Sequence, residues 1–273
     1  MKNANYTYSG WKMNGFLALL VNLLMLGGAV WNFVLLGKSE EFVPMFLIVA
    51  LALVVLSIIM ACGFMMLEPN EARVLLFFGT YKGTFYDTGF WWVNPFMTVK
   101  KLSLRARNLN ADPIKDNDKM GNPIMIGLVL VWKVKANEIY KAIFNIDAPK
   151  QMVVTTTNGK AQADVNALMS DSRMEALANF VAVQSDAALR QVAGNYAYDN
   201  NSVIEGELSL RPNADEINDE LEQKLAERLK MAGIEVIEAR INYLAYAPEI
   251  AAIMLRRQQA DAIISAREKI VEG

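Results

Sequence analysis

The residues able to do chemistry in this chain are few, and they exclude more than they allow. There is no histidine among the 273 residues, which removes Ser-His-Asp and Cys-His catalysis, the common zinc sites and the histidine pH switch. The single cysteine, Cys62, falls in an uncharged apolar stretch. It can form no intrachain disulfide, and a thiol in lipid is read as an inert packing group. Asp112, Asp116 and Asp118 cluster in a polar stretch and suggest a calcium loop. They lack the EF-hand order and its terminal bidentate Glu, so turn chemistry is the better reading. Carboxylate pairs or a Ser-Lys dyad are not excluded by composition, but no recognised motif arranges them. No catalytic residue, metal ligand or cofactor is therefore assigned.

The dominant elements are two apolar stretches, residues 15–37 and 45–67, neither of which contains a charge. At about 1.5 Å per residue each slightly exceeds a hydrocarbon core of roughly 30 Å. The connection from Lys38 to Pro44 is short enough only to turn the chain back. Buried helices of soluble proteins rarely run this far without an ionisable group, so residues 1–67 are read as a membrane anchor of two transmembrane helices. The tail before them, with Lys2, Lys12, Tyr6, Tyr8 and Trp11, reads as an interfacial lead-in, and no Ala-x-Ala cleavage site follows the first span. Asn22 and Asn32 are expected to hydrogen-bond across to the second helix, with Gly27, Gly28 and Gly63 allowing close approach. Lys2, Lys12, Arg73 and Lys82 flank the pair on one side and only Lys38 lies on the other, which favours both ends in the cytoplasm.

After Glu68-Pro69-Asn70 the pattern changes. Residues 73–78, 99–109 and 124–134 read as strands, with a hairpin turn at 79–83 and a second turn or hairpin tip at 112–123. Along the last strand Ile124, Ile126, Leu128, Leu130, Trp132 and Val134 share a face. Residues 68–135 thus form a β-rich block. Residues 136–246 read as α/β. Helices are expected at 136–145, 160–169, 173–193 and 214–232, a β-favouring run at 153–157, a loop at 194–201 and a strand at 234–243. Asn213 is placed to cap the fourth helix, on which Ile217, Leu221, Leu225 and Leu229 recur every four residues, and Gly233 ends it. Pro248 starts an amphipathic helix with no Gly or Pro before Gly273, so 247–273 is read as the start of a longer helix. The fold class is α+β. With the anchor's Lys2, Lys12, Lys38, Glu40 and Glu41 set aside, 24 basic and 27 acidic residues leave a net charge of −3, no footprint for nucleic acid.

This order of anchor, β-rich block, α/β block and long helix resembles the stomatin–prohibitin–flotillin (SPFH, or Band 7) superfamily. The resemblance is carried by Glu68-Pro69-Asn70-Glu71-Ala72-Arg73-Val74, Gly89-Phe90-Trp91-Trp92-Val93-Asn94-Pro95-Phe96 and Lys115-Asp116-Asn117. It continues through Gln184-Ser185-Asp186-Ala187-Ala188-Leu189-Arg190, Gly233-Ile234-Glu235-Val236, Pro248-Glu249-Ile250 and Gln259-Ala260. Together these cover about residues 68–266. Two departures are a passage at 149–172 that reads as an insertion, and paired spans where some family members have one. The resemblance implies two SPFH subdomains, the first β-rich and the second α/β, followed by a coiled-coil-type helix. It also implies a non-enzymatic scaffold whose copies assemble side by side into rings or cages. Such assemblies organise lipid microdomains or control membrane proteases, channels and other clients.

Two residue sets carry that expectation. Trp11, Phe90, Trp91, Trp92 and Phe96 are candidates for bilayer contact, although consecutive residues 90–92 cannot all face one side of a strand. Ile250, Ile253, Met254, Ala260, Ile263, Ile264 and Ile270 form the candidate oligomerisation stripe. The expected partners are the lipid bilayer, other copies of the chain and a protease or channel client, with no nucleic acid. The leading reading is an oligomeric scaffold organising a membrane microdomain, set in a bacterial inner membrane. The alternatives are a regulatory subunit of a membrane protease or channel, and a membrane-bound hydrolase.

Overall fold

In a computed structural model the described residues are 7–38, 44–147, 165–199, 209–211 and 214–272. The chain divides into two units, residues 1–104 and 105–273. The expected 153–157 run, the 39–43 turn, most of the 149–172 passage and the Asn213 cap lie outside the described residues.

In the first unit a short strand, β1 (Lys12–Asn14), leads directly into α1 (Gly15–Lys38). Asn14 Oδ1 accepts the Phe16 N–H at 2.9 Å, an N-cap that satisfies one of the helix's orphan donors. The antiparallel partner is α2 (Pro44–Ala61). Both are long and apolar enough to cross a membrane, and only 11% and 17% of their most apolar windows are buried. Core helices of soluble proteins are covered, so this exposure fits helices solvated by lipid. Between them Ser57 Oγ donates to Asn22 Oδ1, and Asn22 Nδ2 donates to Ser57 O at 3.4 Å. Asn32, expected to reach across, instead donates to Gly28 O of its own helix at 2.8 Å.

The second span is shorter than its apolar run. It ends at Ala61, about 27 Å of helix, and Cys62-Gly63 turn the chain into β2 (Phe64–Leu67). Cys62 is therefore an exposed turn residue, not one packed within a span. Strand pairing won over helix propagation here because Phe64–Leu67 have a hydrogen-bonding partner, β5 (Gly89–Val93), that no window of local sequence reveals. Gly63 is not a helix–helix contact. A Cβ on it would lie 2.4 Å from Val93 O and 2.6 Å from the Trp92 indole nitrogen.

Next come β3 (Glu71–Phe77), β4 (Thr80–Phe85), β5 (Gly89–Val93) and β6 (Met97–Ser103). They form two antiparallel sheets, ordered β1-β5-β2 and β4-β3-β6. The β3–β4 turn is Phe78-Gly79, both at positive φ, tighter than the expected 79–83 turn. Tyr8, Met65, Leu67, Leu75, Phe85 and Val93 make the core between these strands, with Trp91, Met97 and Val99 packed against it.

The expected strand over 99–109 is in fact two. The strand pairing ends with β6 at Ser103, and β7 (Arg107–Asn117) begins in the second unit. It runs six residues into the expected 112–123 turn, leaving a tip at residues 118–122 before β8 (Pro123–Val134). The β-rich stretch expected over 68–135 is thus shared between the two units. Along its whole length β8 pairs with β9 (Ile234–Tyr246), giving a sheet ordered β7-β8-β9, and this binds residues 107–134 to the later chain.

The β8 face read from the alternation is fully buried from Ile124 to Val134. A 3-10 turn (Ala136–Glu138) and α3 (Ile139–Phe144) follow, in the expected helical stretch. In place of two helices, α4 (Val165–Asn195) runs unbroken through Ser170-Asp171-Ser172, polar residues that contain no Gly or Pro to stop it. In α5 (Ala214–Leu229), Ile217, Leu221, Leu225 and Leu229 are all completely buried, as their spacing requires. Gly233 closes this region in the left-handed conformation (φ 67°), after which β9 and then α6 (Pro248–Glu272) begin.

Candidate membrane interface and helix junction

The expected aromatic contacts all lie in the first unit, and β5 sorts them by side. Trp92 is buried, 7% exposed, and its indole N–H donates to Met60 O at 2.7 Å in the last turn of α2. It ties the helix to the sheet and does not present its ring to lipid. Trp91 points the opposite way, against the core, edge-on to Phe85 with ring centroids 5.8 Å apart and its N–H on Thr88 O at 3.2 Å. Trp11 is exposed and meets Trp92 edge-on at 5.5 Å. Phe90 stacks on Phe64 at 5.3 Å and meets Phe16 edge-on at 5.4 Å. Phe96 is exposed on the turn between β5 and β6, where its N–H is held by Asn94 Oδ1 at 3.0 Å. Trp11, Phe90 and Trp92 thus come together, while Trp91 and Phe96 stand apart. Phe64 and Phe16 join the cluster without having been singled out. Both lie inside the uncharged stretches, where apolarity alone does not separate a sheet-packing ring from a residue of the span.

The second unit holds a separate construction at the root of α6. Asp118, buried at the tip between β7 and β8, accepts Met120 N–H at 2.9 Å, Asn122 N–H at 2.8 Å, Asn122 Nδ2 at 3.1 Å and Tyr198 N–H at 3.1 Å. Its oxygens are filled by N–H donors, which is turn chemistry and not cation ligation. Asp116 accepts its neighbour's N–H and lies 3.7 Å from Arg190. Beside the tip Tyr198 packs on Tyr246 with ring centroids 4.0 Å apart, and Gln258 of α6 donates to Asp199 at 3.1 Å. Lys115 pairs with Glu249 at 2.5 Å, an exposed bridge that holds the Glu249 carboxyl below its usual range. Ala247 N–H donates to Pro123 O at 2.9 Å. The hairpin tip, the segment after α4 and the first turns of α6 are thus fastened together around a cavity of about 30 Å³. Tyr198 and Asp199 were expected only as surface loop, because their partners lie on strands and a helix distant in sequence.

Burial, followed by the charges of Asp199 and Asp118, pushes the Tyr246 hydroxyl up to about 12 from 10.0. The unfolded chain therefore loses this proton first as pH rises. The contribution is fully present below pH 10 and is lost on the way to about pH 12. Tyr246→Phe should flatten the fall of stability across that window, measured by denaturant titration at each pH. The change in slope is expected to be well under about 1.4 kcal/mol per pH unit, since the ring is only half-buried and water screens it.

Along α6 the proposed stripe is open. Ile253, Ala260, Ile263, Ile264 and Ile270 are exposed, while Ile250 and Met254, nearest the junction, are partly covered. Among the described residues, no group of three or more Asp, Glu or Cys side chains is placed to hold a metal.

Comparison with curated proteins finds no match for the chain. The model of one family, SPFH domain / Band 7, matches residues 66–273, from the end of β2 through α6. That span takes in the whole of the second unit and residues 66–104 of the first, and it begins shortly after α2 ends. The protein belongs to the SPFH domain / Band 7 family.

Proposed function

We propose that the protein is a non-enzymatic membrane scaffold whose copies assemble side by side through α6 and organise a membrane microdomain. The family is generally one of microdomain scaffolds or regulators and is generally non-enzymatic. One observation carries the reading for this chain: α6 leaves a firmly built junction and then exposes Ile253, Ile263, Ile264 and Ile270. A helix with an apolar stripe left in water is stabilised by covering it, and another copy offers an identical stripe. The paired helices α1 and α2 tether each copy to the bilayer, and the excess of Lys2, Lys12, Arg73 and Lys82 over Lys38 assigns both ends to the cytoplasmic side of a bacterial inner membrane. Extraction of the full chain in mild detergent followed by native mass measurement tests the reading. A large multiple of the 30.4 kDa chain is expected, and a monodisperse monomer would sink it.

A further inference from the structure

The sheet β1-β5-β2 is apolar on both faces, and only one of them has a protein core to cover it. The register sets Met13, Trp92 and Phe64 side by side in one row, and Phe90 beside Met66 in the next. These five share a face by the two-residue period of a strand. The alternate residues Met65, Leu67, Trp91 and Val93 belong to the core. Lys12 is the only ionisable residue in the three strands, and it lies on the core side. There it pairs with Asp87, its ammonium 5.3 Å from the centre of the Trp91 ring. The outward face therefore carries no charge. A sheet this apolar is ordinarily buried on both sides. Here Met66 is 63% exposed, and Phe64 and Phe90 are only half-covered.

Both apolar helices are rooted on this same outward face. Gly15, the first residue of α1, lies so close to the Phe90 ring that a Cβ would fall 2.3 Å from it. The last turn of α2 is held by the Trp92 indole. Phe16 at the start of α1 and Trp11 before β1 extend the aromatic surface outward.

We propose that the outward face of β1-β5-β2 is a lipid-contacting platform that lies in the bilayer interface. Met13, Phe64, Met66 and Phe90 rest at the boundary of headgroups and acyl chains, and Trp11 sits at the rim. The occupant is lipid because the face is continuous with two helices whose own surfaces are already those of lipid-exposed spans, and because its charge has been moved to the opposite side. Aromatic and Met side chains suit that boundary, where an apolar body meets a hydrated layer. The platform gives each chain a third attachment beside its two helices, and it fixes how the β-rich unit is tilted on the membrane. It does not depend on assembly through α6, so the two can fail independently.

The test uses the full chain carrying Cys62→Ser, with a spin label introduced by Met66→Cys, in vesicles of phosphatidylcholine and phosphatidylglycerol. Leu24→Cys in α1 and Lys82→Cys in β4 provide the lipid and water references. The Met66 label is expected to collide with dissolved oxygen more than with an aqueous nickel chelate, as at Leu24 and opposite to Lys82. Ready access of the nickel chelate to Met66 overturns the proposal. Shielding from both reagents, or broadening by a neighbouring label, also overturns it, because a protein surface then covers the face. Met13→Cys, in the neighbouring row of the same face, is read the same way if Met66→Cys fails to fold.

Discussion

Ile253→Glu combined with Ile264→Glu should convert the assembled protein into single chains or small oligomers while leaving each chain folded. The two positions are eleven residues apart, three helical turns, and so lie on one side of α6. They are 66% and 55% exposed in the single chain, so glutamate there disturbs no contact of the fold. In an assembly through the stripe each isoleucine would be buried against a neighbour, contributing about 1.5–3 kcal/mol. Losing two weakens each contact by roughly a hundredfold or more, before the cost of bringing carboxylates against apolar surface is added. Native mass measurement in detergent reads the effect, and unchanged circular dichroism confirms the fold. An unchanged mass would mean that α6 is not the contact.

Asp118→Ala is expected to have the largest effect on stability, about 3–5 kcal/mol, through loss of hydrogen bonds to a charged acceptor. The buried carboxylate gathers three backbone N–H groups and one side-chain amide. Alanine leaves those donors without their acceptor, and a shrunken side chain cannot admit enough water to replace every bond. One of the donors is Tyr198, whose ring packs on Tyr246 beside α6, so the loss should spread from the hairpin tip to the root of the helix. Thermal unfolding of the full chain in detergent checks the magnitude. Asp118→Asn should recover part of it, because one amide oxygen can still accept. If alanine lowers stability by less than about 1 kcal/mol, the size of a single ordinary hydrogen bond, the tip does not organise this region.

The features legible in the sequence are those governed by local chemistry. The β8 face, the four-residue spacing on α5, the left-handed turn at Gly233 and the start of α6 at Pro248 all stand where period and punctuation put them. Side-chain period and the φ preferences of Gly and Pro act over a few residues, so a short window contains their whole cause. The two uncharged stretches likewise announced their helices, because length and apolarity are properties of the segment itself.

Tertiary structure decided where those segments stop and what they pair with. Residues 64–67 are as apolar as the helix before them, and only their hydrogen bonds to β5 make them a strand. Lys12–Asn14 become a strand for the same reason. Residues 107–134 fall to the second unit because β9, a hundred residues later, completes their sheet. The division of Trp91 from Trp92 follows from period two, but which of them met the core depended on the sheet facing them. Strand pairing satisfies backbone groups with partners far along the chain, and no local pattern names the partner. The sequence by itself determined that this chain carries apolar helices and a SPFH-like domain; the fold determined which apolar surfaces were left exposed and which were sealed inside.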